Sequence, residues 1–90
     1  MVKKIFKITN EAGLHARPAT LLVNVAVQFE SDINLNALGK CIDFKSIMCV
    51  MSLGVYSGTT IEIICSGRDE QDAIAALKDK ILELKLGKEI

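Results

Sequence analysis

Apolar and polar residues alternate in four stretches of this chain, which is the pattern of β-strands that bury one face. The first stretch covers residues 2–8 and the second covers residues 32–36. The sequence Leu38-Gly39-Lys40 follows the second stretch and predicts a hairpin to the third. The residues predicted to face the core are Phe6 and Ile8, then Ile33 and Leu35, then Ile42 and Phe44, and finally Ile61, Ile63 and Cys65.

Between these stretches, apolar residues recur at the spacing of an α-helix. The first helix is predicted from about Ala16 to Gln28, with Leu22, Ala26 and Phe29 toward the core. A second, short helix runs from Ile47 to Leu53, with Ser46 at its N-cap and Gly54 at its end. Asp69 is predicted to cap the last helix. The buried residues of the last helix are predicted to be Ile74, Leu77, Ile81 and Leu84.

The predicted order of elements is β-α-β-β-α-β-α over a single domain, residues 1–90. Each strand has only one apolar face, so helices are expected to cover one side of the sheet and leave the other side wet. The sequence therefore predicts an α+β fold, an open-faced β-sandwich. It consists of a four-stranded antiparallel sheet with three helices on one face.

Charge and cysteine content restrict the function further. Lys plus Arg and Asp plus Glu both number 11, so the net charge favours neither nucleic acid nor insertion into an anionic membrane. The N-terminal residues lack the long apolar core of a signal peptide. The cysteines Cys41, Cys49 and Cys65 lack the spacing of a metal site and are expected to be buried or partly buried thiols. These features predict a cytoplasmic protein without a metal or cofactor, and nothing in the sequence demands more than a monomer.

The segment from Asn10 to Thr20 joins the first strand to the first helix and holds the only histidine and the only proline. Gly13 permits a tight turn before His15, and Pro18 favours the first turn of a helix. His15 is therefore expected at a helix N-terminus, beside free backbone N–H groups such as that of Ala16 and beside the Arg17 guanidinium. This environment suits an anion, and phosphate best of all.

A phosphoryl relay on His15 is the chemistry that this environment favours. A helix N-terminus disfavours a positive imidazolium, so the ring is expected to stay neutral and nucleophilic near neutral pH. A metal site would need further ligands, and a Cys-His nucleophile would need a cysteine beside His15. No glycine-rich nucleotide loop is present, so another protein is the expected phosphoryl donor. From the residues alone, a structural histidine at the helix start stays an alternative.

The run Gly13-Leu14-His15-Ala16-Arg17-Pro18-Ala19 resembles the active-site signature of the HPr family. These proteins are the histidine-containing phosphocarriers of the bacterial phosphoenolpyruvate:sugar phosphotransferase system. The run from Lys45 to Val55 is similar to the regulatory serine segment of the Gram-positive type, and the element order agrees along essentially all 90 residues. The resemblance implies that enzyme I phosphorylates His15 at Nδ1 and that a sugar-specific IIA domain receives the group. It implies a phosphocarrier rather than an enzyme in the strict sense.

Ser46 has two compatible roles. Its residue type and position predict an N-cap, which contributes about 0.5–2 kcal/mol. The resemblance implies that an ATP-dependent HPr kinase/phosphorylase modifies Ser46 as part of carbon catabolite repression. A phosphate there would add negative charge to a docking surface without unfolding the helix.

The short helix holds more apolar residues than one side can bury. Val50 and Leu53 fit the inward face, and the other apolar side chains are expected toward solvent unless the helix packs more deeply. Exposed methionines adapt to partners of different shape. The resemblance implies that enzyme I, IIA domains and catabolite control protein A dock on this helix, the first helix and the histidine loop. The predicted partner-binding residues are Thr20, Ile47, Met48 and Met51.

Two residues depart from the family pattern. Cys49 stands where the Gram-positive type usually has glycine, and Phe44 is bulkier than the common aliphatic residue at its position.

Two functions other than that of a phosphocarrier are alternatives for this sequence. A regulatory binding module is one, although a regulatory paralogue in the family lacks the histidine that this chain has. A hydrolase that uses His15 as a base is the other, and it lacks a partner nucleophile or metal.

Overall fold

All strands of the chain belong to one antiparallel sheet, with the order β3-β2-β4-β1-β5. The computed structural model describes all 90 residues. None of its helices is long and apolar enough to cross a membrane. The elements are β1 (Val2–Ile8), α1 (Ala16–Ala26), β2 (Asp32–Ala37), β3 (Lys40–Asp43), α2 (Ile47–Leu53), β4 (Thr60–Ser66), α3 (Glu70–Glu83) and β5 (Gly87–Glu89).

The sheet buries one face under the three helices, which confirms the predicted fold class. Phe6 lies opposite Ile61, and both are fully buried because alternate residues of each strand point to the same face. The opposite face is mostly polar and open to solvent, although Ile5 and Ile64 also lie on it. There Glu62 accepts a hydrogen bond from Asn36 Nδ2 over 3.0 Å and lies 3.9 Å from Lys3 Nζ.

The sheet has five strands where the sequence predicts four. The additional strand, β5, is short and mostly charged, so it has no apolar alternation that a sequence pattern could detect. Gly87 allows the close approach to β1, because a Cβ at this position would collide with the Lys7 carbonyl oxygen. Glu89 pairs with Lys78 over 2.9 Å and with Lys4 over 3.2 Å, and these contacts lower the pKa of Glu89. β5 therefore makes β1 an internal strand.

The first helix ends at Ala26, two residues earlier than the predicted end at Gln28. The chain tightens after Ala26, since Gln28 N–H donates to the Val25 carbonyl and Phe29 N–H donates to that of Ala26, each over 3.2 Å. Lys45 Nζ donates to the Phe29 carbonyl over 2.7 Å. A lysine side chain from outside the helix therefore binds a carbonyl of the turn that follows α1. The Phe29 side chain is half-buried and packs against the core.

Two predicted core residues lie just outside the elements that were expected to hold them. Phe44 follows β3, where its N–H donates to the Ile33 carbonyl over 2.9 Å and its ring is fully buried. Ile42 within β3 is only half-buried. Leu84 is the C-cap of α3 and packs half-buried against the core, whereas the other three residues of its predicted stripe are buried.

The cysteines are all free, and their environments differ from one another. Cys41 is exposed on β3, contrary to the expectation that every cysteine is at least partly buried. Cys49 is half-buried and Cys65 is buried. Burial, followed by the negative charge of Glu70, raises the pKa of the Cys65 thiol to about 11, so this group stays protonated at neutral pH.

Asp69 occupies the N-cap position of α3 but makes no capping hydrogen bond, contrary to the sequence prediction. Its carboxylate instead accepts the N–H groups of Glu30 and Ser31, each over 2.9 Å, and the Ser31 hydroxyl. The Ser31 hydroxyl bond, followed by the Glu30 N–H bond, lowers the pKa of Asp69. Asp69 therefore links the two residues that precede β2 to the N-terminus of α3 through hydrogen bonds.

The Asp69 contacts predict a stability difference that depends on pH. The pKa of Asp69 is lower in the folded protein than in the unfolded chain. Its hydrogen bonds therefore stabilise the fold fully at pH values above the ordinary aspartate pKa, and this stabilisation is lost as the pH falls through the lowered pKa. We expect Asp69→Asn to be less stable than wild type at neutral pH and to lose less stability on acidification. Urea unfolding across this pH range measures both. Asp79→Asn, exposed on the same helix beyond its first turn, is the control and should follow wild type. Parallel pH profiles for wild type and Asp69→Asn would contradict this role.

Candidate functional site

His15 lies at the N-cap of α1, as the sequence predicts. Its backbone is extended, with φ −81° and ψ −178°, and its side chain makes no capping hydrogen bond. The His15 carbonyl accepts the Ala19 N–H over 3.1 Å, which is the first hydrogen bond of the helix. The imidazole is consequently an exposed group at the end of a helix rather than a structural cap.

Two unpaired backbone donors follow His15 in the first turn of α1. The N–H groups of Ala16 and Arg17 have no hydrogen-bond partner in the chain, and Pro18 has no N–H. The first turn of α1 contains no acidic residue, and the exposed Arg17 guanidinium forms no ion pair within the chain. These groups create a local positive potential that favours an anion attached to or approaching His15.

Backbone conformation and backbone hydrogen bonds hold the loop before His15 in place. Gly13 has a φ of +64°, in the left-handed region, and it packs against the segment after α2. Leu14 is buried, and its N–H donates to the Val55 carbonyl over 3.1 Å. The Gly13 carbonyl accepts Asn10 Nδ2 over 2.9 Å and lies 3.4 Å from His15 Nδ1. The loop therefore fixes the backbone position from which the imidazole projects.

A shallow depression of about 180 Å³ opens beside the imidazole. The chain between α3 and β5 forms one of its sides, because the Leu86 carbonyl accepts the N–H groups of Thr9 over 2.9 Å and Asn10 over 3.2 Å. The sequence interpretation missed this contribution, since it depends on the pairing of β5 with β1. The residues that line the depression are Asn10, His15, Arg17, Pro18, Leu21, Leu84 and Leu86.

Ser46 caps α2 as predicted, because its hydroxyl accepts the Cys49 N–H over 3.2 Å. Val50 and Leu53 are buried, in agreement with the predicted inward face. Of the residues expected toward solvent, Met48 is 80% exposed and Met51 is 40% exposed. Ile47 differs from the prediction, since it packs half-buried against the core.

The helices α1 and α2 pack against each other, so their exposed side chains belong to neighbouring parts of one surface. Thr20 is exposed on α1, and its hydroxyl donates to the Ala16 carbonyl over 2.7 Å. Leu21 and Tyr56 add exposed apolar area near the histidine loop. We call Thr20, Leu21, Met48, Met51 and Tyr56 the docking surface.

The fold and the site together define a small α+β protein, an open-faced sandwich that presents an exposed histidine at a helix N-terminus. No group of three or more His, Cys, Asp or Glu side chains in the structure could hold a metal ion. A family model described as the PTS HPr component phosphorylation site matches residues 2–83. The chain belongs to this HPr family of phosphocarrier proteins.

Solved structures from three bacteria agree with this assignment. A histidine-containing phosphocarrier protein of Mycoplasma is 40% identical and has a TM-score of 0.94, with 96% of this chain and 98% of that chain covered. The phosphocarrier protein HPr of Bacillus anthracis is 39% identical, with a TM-score of 0.81 and coverages of 88% and 94%. The catabolite repression protein Crh of Bacillus subtilis, described as a dimer with a swapped domain, is 42% identical, with a TM-score of 0.71 and coverages of 92% and 95%.

Proposed function

We propose that this protein accepts a phosphoryl group on His15 from enzyme I and passes it to the IIA domains of sugar permeases. The observation that carries the proposal is the position of the imidazole, exposed at the N-cap of α1 beside two unpaired N–H groups and Arg17. We further propose that the 90 residues act as one cytoplasmic domain, as a monomer, without a cofactor. The protein is then a carrier that is modified and restored rather than an enzyme in the strict sense.

The transfer needs a nucleophile and stabilisation of charge. The lone pair of His15 Nδ1 forms a new N–P bond as the N–P bond of the donor phosphohistidine breaks, and that electron pair returns to the donor ring. The phosphoryl oxygens carry the negative charge, so the N–H groups of Ala16 and Arg17 and the Arg17 guanidinium are suited to bind them. Pro18 supports the same geometry by fixing the backbone in the first turn of α1.

Intact-mass spectrometry tests the proposal directly. Incubation with phosphoenolpyruvate, Mg²⁺ and enzyme I should add one phosphoryl group, which acid removes and which a IIA domain accepts. Omission of enzyme I is the control and should leave the mass unchanged. Failure to gain the group in the complete mixture would refute the proposal, and turnover of a substrate without a protein partner would favour a hydrolase instead.

The docking surface offers chemistry suited to several partners. Met48 and Met51 are flexible and polarisable, so they can pack against differently shaped apolar surfaces. We propose that enzyme I and IIA domains bind here, beside His15. We also propose that catabolite control protein A binds here after Ser46 is phosphorylated by HPr kinase/phosphorylase, and the similarity to a catabolite repression protein supports this.

We expect Ser46→Asp to slow phosphoryl acceptance from enzyme I by about tenfold or more. The reason is that the substitution adds a negative charge near the docking surface and so alters association with enzyme I. Its free energy of unfolding should stay within about 1 kcal/mol of wild type, since aspartate caps a helix as well as serine does. Rapid-quench transfer assays and urea unfolding measure the two effects.

The matched control is Ser66→Asp, which places the same charge on the open face of the sheet. This variant should accept the phosphoryl group at the wild-type rate. Equal rates for Ser46→Asp and wild type would remove the regulatory role that we assign to Ser46.

A further inference from the structure

The chain between α3 and β5 turns through a lysine with a left-handed backbone. Lys85 has a φ of +56° and follows the C-cap of α3. Its N–H donates to the Leu82 carbonyl over 3.1 Å, and the Leu86 N–H donates to the Ile81 carbonyl over 3.0 Å. This pair of bonds is the Schellman motif, in which glycine is the usual residue at the left-handed position. A lysine is strained there by its Cβ, so the backbone does not favour this residue type.

The ammonium group of Lys85 has no partner within the chain. The side chain is exposed, and its Nζ forms no ion pair and donates no hydrogen bond. The acidic residues nearest to it along the chain are engaged elsewhere, since Glu83 pairs with Lys80 over 3.2 Å and Glu89 pairs with Lys78 over 2.9 Å. No internal contact of the charge therefore accounts for a lysine in this strained position.

Lys85 lies at the rim of the depression beside His15. Leu84 and Leu86, the residues on either side of it, both line this depression, and no acidic residue does. Arg17 lines the depression from α1 and likewise forms no ion pair. Two cations without partners therefore flank the depression, one on the α1 side and one on the side formed by the chain between α3 and β5.

We propose that Lys85 acts together with Arg17 by supplying positive charge to the phosphoryl group that His15 accepts. The inference rests on the proposed function, which brings a negatively charged phosphoryl group to this histidine. The ammonium group lies at the end of a flexible four-carbon stem, and at physiological salt its charge acts over about 8 Å. Lys85 therefore attracts the phosphoryl group of the donor and stabilises it after transfer, and the strained backbone is retained because it places a cation at this rim.

Four variants separate the charge of Lys85 from its backbone strain. Lys85→Gln removes the charge and keeps the strain, Lys85→Arg keeps both, and Lys85→Gly removes both. Lys40→Gln is the control for the loss of one positive charge. Lys40 is also exposed and forms no ion pair, but it lies on β3, which three strands separate from β5.

Phosphoryl acceptance is measured with two donors. One is phosphorylated enzyme I, and the other is phosphoramidate, a small anion whose N–P bond breaks as the N–P bond to His15 forms and ammonia leaves. With both donors we expect Lys85→Gln and Lys85→Gly to slow acceptance about two- to threefold at about 0.1 M salt, whereas Lys85→Arg and Lys40→Gln keep the wild-type rate. At about 1 M salt all rates should converge, because screening then removes charge interactions beyond about 3 Å.

Urea unfolding tests whether the stability of the fold explains the lysine. Lys85→Gly should unfold at a higher urea concentration than wild type, because glycine relieves the left-handed strain. The matched control is Leu38→Gly, since Leu38 has a φ of +53° and lies in the hairpin between β2 and β3. It should gain stability in the same way and leave acceptance unchanged. A Lys85→Gly protein that unfolded at a lower urea concentration would show that the lysine stabilises the end of α3, and would overturn the proposal.

Unchanged acceptance by Lys85→Gln would also overturn the proposal, and so would an equal effect of Lys40→Gln or a slower rate that persists at about 1 M salt. A wild-type protein that reacts with phosphoramidate at His15 but never accepts the group from enzyme I would instead refute the proposed function. The reaction with phosphoramidate distinguishes these failures because it requires no partner protein.

Discussion

Replacement of His15 by alanine is expected to abolish phosphoryl acceptance from enzyme I while the free energy of unfolding stays within about 0.5 kcal/mol of wild type. The side chain is exposed, makes no capping bond and has only the 3.4 Å contact to the Gly13 carbonyl. Its loss therefore removes the nucleophile and almost none of the packing. Intact-mass spectrometry after incubation with enzyme I measures the first effect, and urea unfolding measures the second.

Glu11→Ala is the control for this variant, because Glu11 is an exposed side chain of the same loop. It should retain acceptance and stability. If the His15→Ala protein still gained a phosphoryl group, the acceptor would be another residue, and the assignment of the site to the N-terminus of α1 would be wrong.

Gly13→Ala is expected to reduce the free energy of unfolding by about 2–4 kcal/mol and to slow phosphoryl acceptance strongly. Left-handed backbone strains any residue with a Cβ, and at Gly13 that atom would also collide with the Val55 carbonyl oxygen and lie 2.8 Å from Tyr56 Cα. Both obstacles are backbone atoms, so they move only if the loop moves. The loop would then carry His15 away from its position. Urea unfolding and transfer assays give the two magnitudes.

Gly54→Ala separates strain from collision. Gly54 has a φ of +65°, almost the same as that of Gly13, but a Cβ there meets no atom within 4 Å. Its substitution should cost only the left-handed strain, about 1–2 kcal/mol. If the two alanine variants lost equal stability, the packing of the Gly13 loop against Val55 and Tyr56 would not be a constraint on the site.

The parts of the fold that the sequence predicts correctly are those set by neighbours along the chain. The alternation in β1, the Ser46 cap and the Gly54 stop all depend on residues a few positions apart. The same is true of His15, Arg17 and Pro18, which are contiguous with the helix that presents them. Local pattern is sufficient for such features because strand and helix periods are intrinsic to the backbone.

The features that sequence interpretation missed depend on distant residues. Asp69 has the residue type and position of a cap, yet its carboxylate binds Ser31, which is 38 positions away. The strand β5 exists because β1 offers it an unpaired edge, and its own residues carry no strand pattern. Ile47 is half-buried against the core, because α2 packs on other elements that its own seven residues do not reveal. Only tertiary contacts decide these outcomes.

The position of β1 inside the sheet has a consequence for biosynthesis. Residues 2–8 are translated before their hydrogen-bonding partners, which are residues 60–65 and 87–89. The loop before His15 likewise donates hydrogen bonds to the carbonyls of Val55 and Leu86. Such long-range pairings form only after the distant segments have been translated. We therefore expect the loop that presents His15 to reach its folded position only after residues 55, 60–65 and 86–89 have been translated, and nascent chains that end before these residues should not accept a phosphoryl group.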